Sequence, residues 1–132
     1  MISNFRGELI LRSVPGTLRL ELAQKFAWAG QVDGVTREIA VPAGFMFDGA
    51  SIPRVACPLI GGPWGEYREA ACIHDWLYRC PFGLYPWLTR ASADKVFYQA
   101  LLTIPRMSRW KARVMYMAVR LGGRRSWRGK GG

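Results

Sequence analysis

The chain contains one histidine, His74, which stands directly before Asp75 and four residues before Tyr78. On a helix, positions i and i+4 share a face, so His74 and Tyr78 project together while Asp75 points about 100° around the axis. Twenty residues beyond the histidine comes Asp94, flanked by apolar Ala93, Val96, Phe97 and Leu101. If the two segments are antiparallel helices, Asp94 faces His74 and Tyr78 across their seam. A buried carboxylate that holds one imidazole nitrogen leaves proton transfer to the other, which is what a histidine general base requires. Asp75, aimed at a neighbouring glycine-rich loop, has the hard oxygen chemistry to hold a cation together with backbone carbonyls. The structural alternative for His74 is a hydrogen-bonded, partly buried residue that ties two helices together. For Asp94 it is an acid favoured by the dipole at a helix N-terminus.

Those side chains need helices, and the pattern supplies them. From Glu66 to about Tyr78, Ala70, Ile73 and Leu77 form one stripe and Tyr67, Ala71, His74 and Tyr78 another. A loop broken by Pro and Gly follows, with Phe82, Tyr85 and Trp87 read as packing between helices, or alternatively as a lipid-docking rim. Thr89 is the expected N-cap of a second helix, about 90 to 104, that Pro105 stops. Ser108 caps a third, Arg109 to Leu121, closed by Gly122. Upstream of about residue 47 the pattern is β. Glu8–Arg12 and Thr17–Leu22 alternate around a Val14-Pro-Gly16 turn, and Phe26–Trp28 and Arg37–Val41 flank Val32-Asp-Gly34. The expectation is one α+β domain over 1–121: a small N-terminal antiparallel sheet packed on a three-helix C-terminal half, with an irregular segment over 48–65.

That irregular segment holds two glycine loops. Phe47-Asp-Gly-Ala-Ser51 reads as an Asx-type turn leading to Pro53, with a ligand loop formed by Asp48, Gly49 and Ser51 as the alternative. Ser51 lacks the Gly-x-Ser-x-Gly setting of a nucleophile elbow. The second loop, Ile60-Gly-Gly-Pro63, offers the carbonyls of Gly61 and Gly62 to a cation at Asp75.

At 132 residues, 50% hydrophobic and 13% aromatic, the chain can build a core, which excludes a disordered chain. Its longest uncharged stretches, such as Val55–Gly65, fall short of the roughly 20 residues of a membrane-spanning helix. Cys57, Cys72 and Cys80 make an odd count without Cys-x-x-Cys spacing, so they read as reduced, mostly buried thiols. The N-terminal residues lack a basic stretch followed by an apolar one, and synthesis in a cytoplasm is expected. The net charge of +10 is one-sided: residues 95–132 hold ten basic groups and no acid. Arg109, Lys111, Arg113, Arg120, Arg124, Arg125, Arg128 and Lys130, with Trp110 and Trp127, can contact a polyanion. DNA, anionic lipid and a neighbouring protein face are all compatible with that field, and a plain solubilising surface is the alternative. The glycine-rich basic tail, 122–132, is of the kind that orders only against a partner, which points to a component of a larger assembly.

His74-Asp75-x-x-Tyr78 followed by Ala93-Asp94-x-x-Phe97 resembles the active-site core of secretory phospholipases of the A-two type, in particular their compact prokaryotic and parvovirus-capsid forms. The resemblance implies His74 as general base, Asp94 and Tyr78 as the groups that hold it, and Asp75 as a calcium ligand. A second resemblance spans nearly the whole chain. Phe47-Asp-Gly-Ala-Ser-Ile-Pro53, Ala71-Cys-Ile-His-Asp-Trp-Leu-Tyr78, Arg90-Ala-Ser-Ala-Asp94 and Met115-Tyr-Met-Ala-Val-Arg-Leu-Gly122 are similar to the phage and prophage proteins grouped as domain of unknown function 1353. That resemblance implies a tailed-phage origin and no particular reaction.

Together these observations favour a small component of the phage particle, in its tail region, in contact with other structural proteins and bearing a phospholipase-like His/Asp site. The alternatives are a calcium-dependent phospholipid ester hydrolase that acts as the host is infected, and a protein that contacts nucleic acid without sequence preference.

Overall fold

The computed structural model describes residues 3–17, 19–47, 67–105 and 107–127, without the side chains of Arg125 and Ser126. Among these residues, six strands precede three helices: β1 Asn4–Arg6, β2 Leu11–Ser13, β3 Leu20–Leu22, β4 Phe26–Val32, β5 Val35–Val41, β6 Met46–Phe47, α1 Arg68–Arg79, α2 Arg90–Thr103 and α3 Arg109–Gly122. A short 3-10 turn, Gly123–Ser126, continues α3. The α+β expectation holds.

The expected single sheet is instead two, each antiparallel and three-stranded, in the orders β1-β4-β5 and β2-β3-β6. Alternation in the sequence places side chains on faces but does not say which strands pair. The hairpin around Val14-Pro-Gly16 forms as expected, with Leu11 opposite Leu22. β1 and β6, too short to show a period, were not foreseen.

The β4–β5 hairpin is the largest pairing, running from Phe26 opposite Val41 to Val32 opposite Val35. Its two-residue turn, Asp33-Gly34, has φ of 52° and 79°. Positive φ at both central positions matches the natural twist of the strands, and glycine adopts it without steric cost. The inner face of the hairpin presents Phe26, Trp28, Val32, Ile39 and Val41 to the helices. A Cβ on Gly30 would lie 2.5 Å from the Trp28 ring, so the missing side chain makes room for the indole. Trp28 Nε1–H donates to Thr103 Oγ1 at 3.1 Å, which joins the sheet to the end of α2.

α1 is the most buried of the three helices. Eight of its residues, Ala70 to Asp75 with Leu77 and Tyr78, are buried. It ends where Cys80 turns extended before Pro81, because the residue preceding a proline is pushed out of the helical region. α2 begins with a reciprocal cap: the Thr89 hydroxyl accepts from Ser92 N–H, and Ser92 Oγ accepts from Thr89 N–H. Ser108 caps α3 through Lys111 N–H. The C-cap of α3 falls at Gly123, one residue beyond the expected Gly122. Among the described residues, no helix is long and apolar enough to cross a membrane.

Replacing Gly34 by alanine places a Cβ in the left-handed region, and a loss of about 1 kcal/mol in denaturant-measured stability is expected. The same change at Gly30 strikes the indole and is expected to cost more.

Candidate functional site

The seam of the three helices converges on one carboxylate. Asp94, in the second turn of α2, is completely buried, as are His74 and Tyr78 of α1. His74 Nε2 lies 2.7 Å from Asp94 Oδ1, and Tyr78 O–H donates to the same oxygen at 2.5 Å. The other oxygen, Oδ2, accepts from Arg120 Nη1 of α3 at 2.8 Å. Arg90, one turn before Asp94 on α2, brings its Nη1 to 3.7 Å from Oδ2. Its guanidinium also donates to the carbonyls of Val119 and Arg120, so it joins the start of α2 to the C-terminal end of α3, where a cation suits the helix dipole.

The electrostatics follow from these contacts. Burial alone would raise the Asp94 carboxyl, but hydrogen bonds from His74, Tyr78 and Arg120 outweigh it and hold the group below the ordinary carboxylate range. Asp94 is therefore an anion, which can only accept. His74 then carries its proton on Nε2 and its basic lone pair on Nδ1. Burial lowers the His74 pKa; the hydrogen bond and charge of Asp94 oppose this, and the nearby Arg90 reinforces it. The imidazole is neutral at pH 7, the state a general base needs. Burial and the bond to Asp94 raise the Tyr78 phenol, which stays protonated and serves as a donor.

Packing fixes the ring orientations. His74 sits between Tyr78 and Phe97, at centroid distances of 4.2 and 4.6 Å. Trp127 meets Tyr78 edge-on at 5.2 Å. A Cβ at Gly123 would come within 2.7 Å of the Tyr78 hydroxyl, so the glycine that ends α3 also lets its backbone close over the site.

Asp75 points elsewhere, as the helical angle requires. It is buried, and Arg79 Nη1 donates to its Oδ2 at 3.0 Å. The same Arg79 nitrogen donates to the carbonyl of Met46 in β6, which ties Asp75 to the last described strand before residue 48. Asp48, Gly49, Ser51, Gly61 and Gly62 lie outside the described residues. Among the described residues there is no cluster of three or more metal-ligating side chains. Cys72 is buried, and burial pushes its thiol up to about 12, which leaves it inert. Cys57 lies outside the described residues.

The structure thus brings together His74, Tyr78 and Asp94 as the sequence indicates. It moves Arg120 from the expected polyanion surface to the carboxylate, because its position on α3 faces α2. Arg90 was missed as a site residue, although its place four residues before Asp94 was a signal for an ion pair. Arg109, Arg113 and Arg124 stay exposed; Lys111 is partly buried, and Arg128 and Lys130 lie outside the described residues.

Two measurements check this account. Asp94→Ala leaves two arginines and two hydrogen-bonding side chains around a void, and a loss of about 3–5 kcal/mol in unfolding free energy is expected. The His74 pKa is lowered on folding, so the unfolded chain binds the proton more tightly, and stability falls as pH drops below the free-histidine value of 6.5. Thermal melts from pH 7.5 to 5 should show this decline, and His74→Asn should flatten it.

The sequence profile of the family described as "Protein of unknown function (DUF1353)" matches residues 20–119. A 73-residue stretch covering 54% of the chain is 37% identical to the Uncharacterized protein y4iH of Sinorhizobium fredii (strain NBRC 101917 / NGR234) and spans 28% of that protein. An 82-residue stretch covering 60% of the chain is 39% identical to the Uncharacterized protein y4jT of the same strain and spans 22% of it. The matched part is therefore about a quarter of the length of these curated relatives. No solved structure matches the chain. With a profile match over most of its length, including every residue at the carboxylate except Arg120, this chain belongs to the DUF1353 family.

Proposed function

We propose that this domain is a histidine-based ester hydrolase, carried by a tailed-phage or prophage particle and directed at phospholipid esters. The single observation that carries the reading is the pairing of His74 Nε2 with Asp94 Oδ1 at 2.7 Å, with Tyr78 on the same oxygen. That arrangement fixes the tautomer and the ring plane of a neutral imidazole. The lipid substrate and the particle setting come from the resemblances of the motifs described above.

The chemistry needs one base and no covalent enzyme intermediate. His74 Nδ1 takes a proton from water as the water oxygen bonds to the ester carbonyl carbon. The imidazolium so formed is stabilised by Asp94, which keeps its charge throughout. The tetrahedral intermediate then breaks its bond to the alcohol oxygen, and that oxygen takes the proton back from Nδ1. The products are a fatty acid and a lysophospholipid. Arg120 and Tyr78 are positioning residues that act through Asp94.

A second reading is favoured by the complete burial of His74 and Asp94. In it the network is a pin that holds three helices together in a structural component of the particle. One assay separates the two. Fatty-acid release from mixed phosphatidylcholine and phosphatidylglycerol vesicles should drop about 10²–10⁴-fold in His74→Asn, the usual contribution of a general base. Absence of release by the folded parent protein would leave the structural pin. The cation expected at Asp75 with the carbonyls of Gly61 and Gly62 is read by repeating the assay in EDTA. Loss of turnover that calcium restores assigns Asp75 as a ligand, and unchanged turnover leaves Arg79 as its cation.

A further inference from the structure

α3 turns two different faces outward and inward. Ala112, Met115 and Val119 are buried against the rest of the domain. On the opposite side, where a helix normally shows polar groups, stand Trp110, Met117 and Leu121, exposed by 61%, 50% and 82%. Their spacing of seven and four residues puts them in one line along the helix, over roughly 16 Å. Partly buried Val114 lies beside that line. Arg109 and Arg113 border it, and Arg124 follows in the 3-10 turn; all three are exposed and have no ion-pair partner among the described residues. α3 contains no acidic residue.

We propose that this face of α3 docks on an anionic lipid surface, lying in the plane of the headgroups with Trp110, Met117 and Leu121 inserted. The combination selects the partner. A nucleic-acid contact places cations at the centre of the interface, against phosphates, whereas here the centre is apolar and the cations flank it. An interfacial helix has that layout: Trp and aliphatic side chains enter the acyl boundary while arginines meet lipid phosphates. Alongside Met117, an open groove of about 420 Å³ is lined by Lys95, Tyr98, Arg113 and Tyr116, with space and charge for a phosphate headgroup. Asp33 pairs with Lys95 at 2.7 Å, while Arg113 in the same groove has no ion-pair partner among the described residues. The inference rests on α3 and this groove and not on the chemistry of His74.

Sedimentation with vesicles tests it, because binding is read rather than cleavage. The full chain is expected to sediment with vesicles of equal phosphatidylcholine and phosphatidylglycerol and to stay in the supernatant with phosphatidylcholine alone. The triple variant Trp110→Ser, Met117→Ser, Leu121→Ser should bind at least ten-fold more weakly, with an unchanged far-UV circular dichroism spectrum. Leu121→Ser alone, at the most exposed position, should reduce binding several-fold and guards against misfolding of the triple variant. Arg109→Gln with Arg113→Gln should also weaken binding. Failure of the parent chain to sediment with anionic vesicles overturns the proposal. So does undiminished binding by both serine variants, or duplex DNA binding of equal strength that the serine changes leave intact, since either would mark a general polyanion patch.

Discussion

A carboxylate without water must be surrounded by donors, and the helical half of this protein is arranged around that requirement. Asp94 has no exposed surface, yet it stays ionised because His74, Tyr78 and Arg120 donate to it from α1 and α3. An uncompensated buried charge of this kind would cost several kcal/mol. Each helix therefore has one admissible rotation: α1 must show His74 and Tyr78, α2 must show Asp94, and α3 must show Arg120. Arg90 reinforces the arrangement by tying the first turn of α2 to the last carbonyls of α3. The hydrophobic core supplies the bulk of the driving force, and the carboxylate supplies the register.

The same network determines what the histidine can do. With Nε2–H donated to an anion, the imidazole has one tautomer and one orientation, and its lowered pKa keeps it neutral at pH 7. Those are the properties of a poised base, and they are also the properties of a well-satisfied buried side chain. The chemistry and the structural constraint share the contacts among His74, Tyr78 and Asp94, and turnover distinguishes them. Asp75, one position on, belongs to a different environment. Its partner Arg79 reaches the Met46 carbonyl, so it ties α1 to the second sheet and not to the helical seam.

The basic C-terminal third separates into two populations with different work. Arg120 turns inward to the Asp94 carboxylate. Arg109 and Arg113 turn outward and border an apolar line that the core does not use. Net charge could not distinguish them, because it counts groups without regard to the side of the helix on which they stand.

Some of this was legible in the residues alone. Local rules are short in range: the Thr89 and Ser108 caps, the stop at Pro105, the Asp33-Gly34 turn and the i, i+4 placement of His74 and Tyr78 all depend on neighbours within a few positions. The pairing of His74 with Asp94 was legible too, because consecutive helical segments usually lie side by side, and an antiparallel pair brings those two positions to the same seam. What the tertiary structure alone decided is longer in range. Strand alternation defines faces but not partners, so the division into two sheets and the recruitment of β1 and β6 came only from three-dimensional packing. Arg120 lies 26 residues from Asp94, and no local pattern distinguishes it from the other arginines of its segment. Its role is set by the rotation of α3, which follows from which apolar face, Ala112, Met115 and Val119, finds the core.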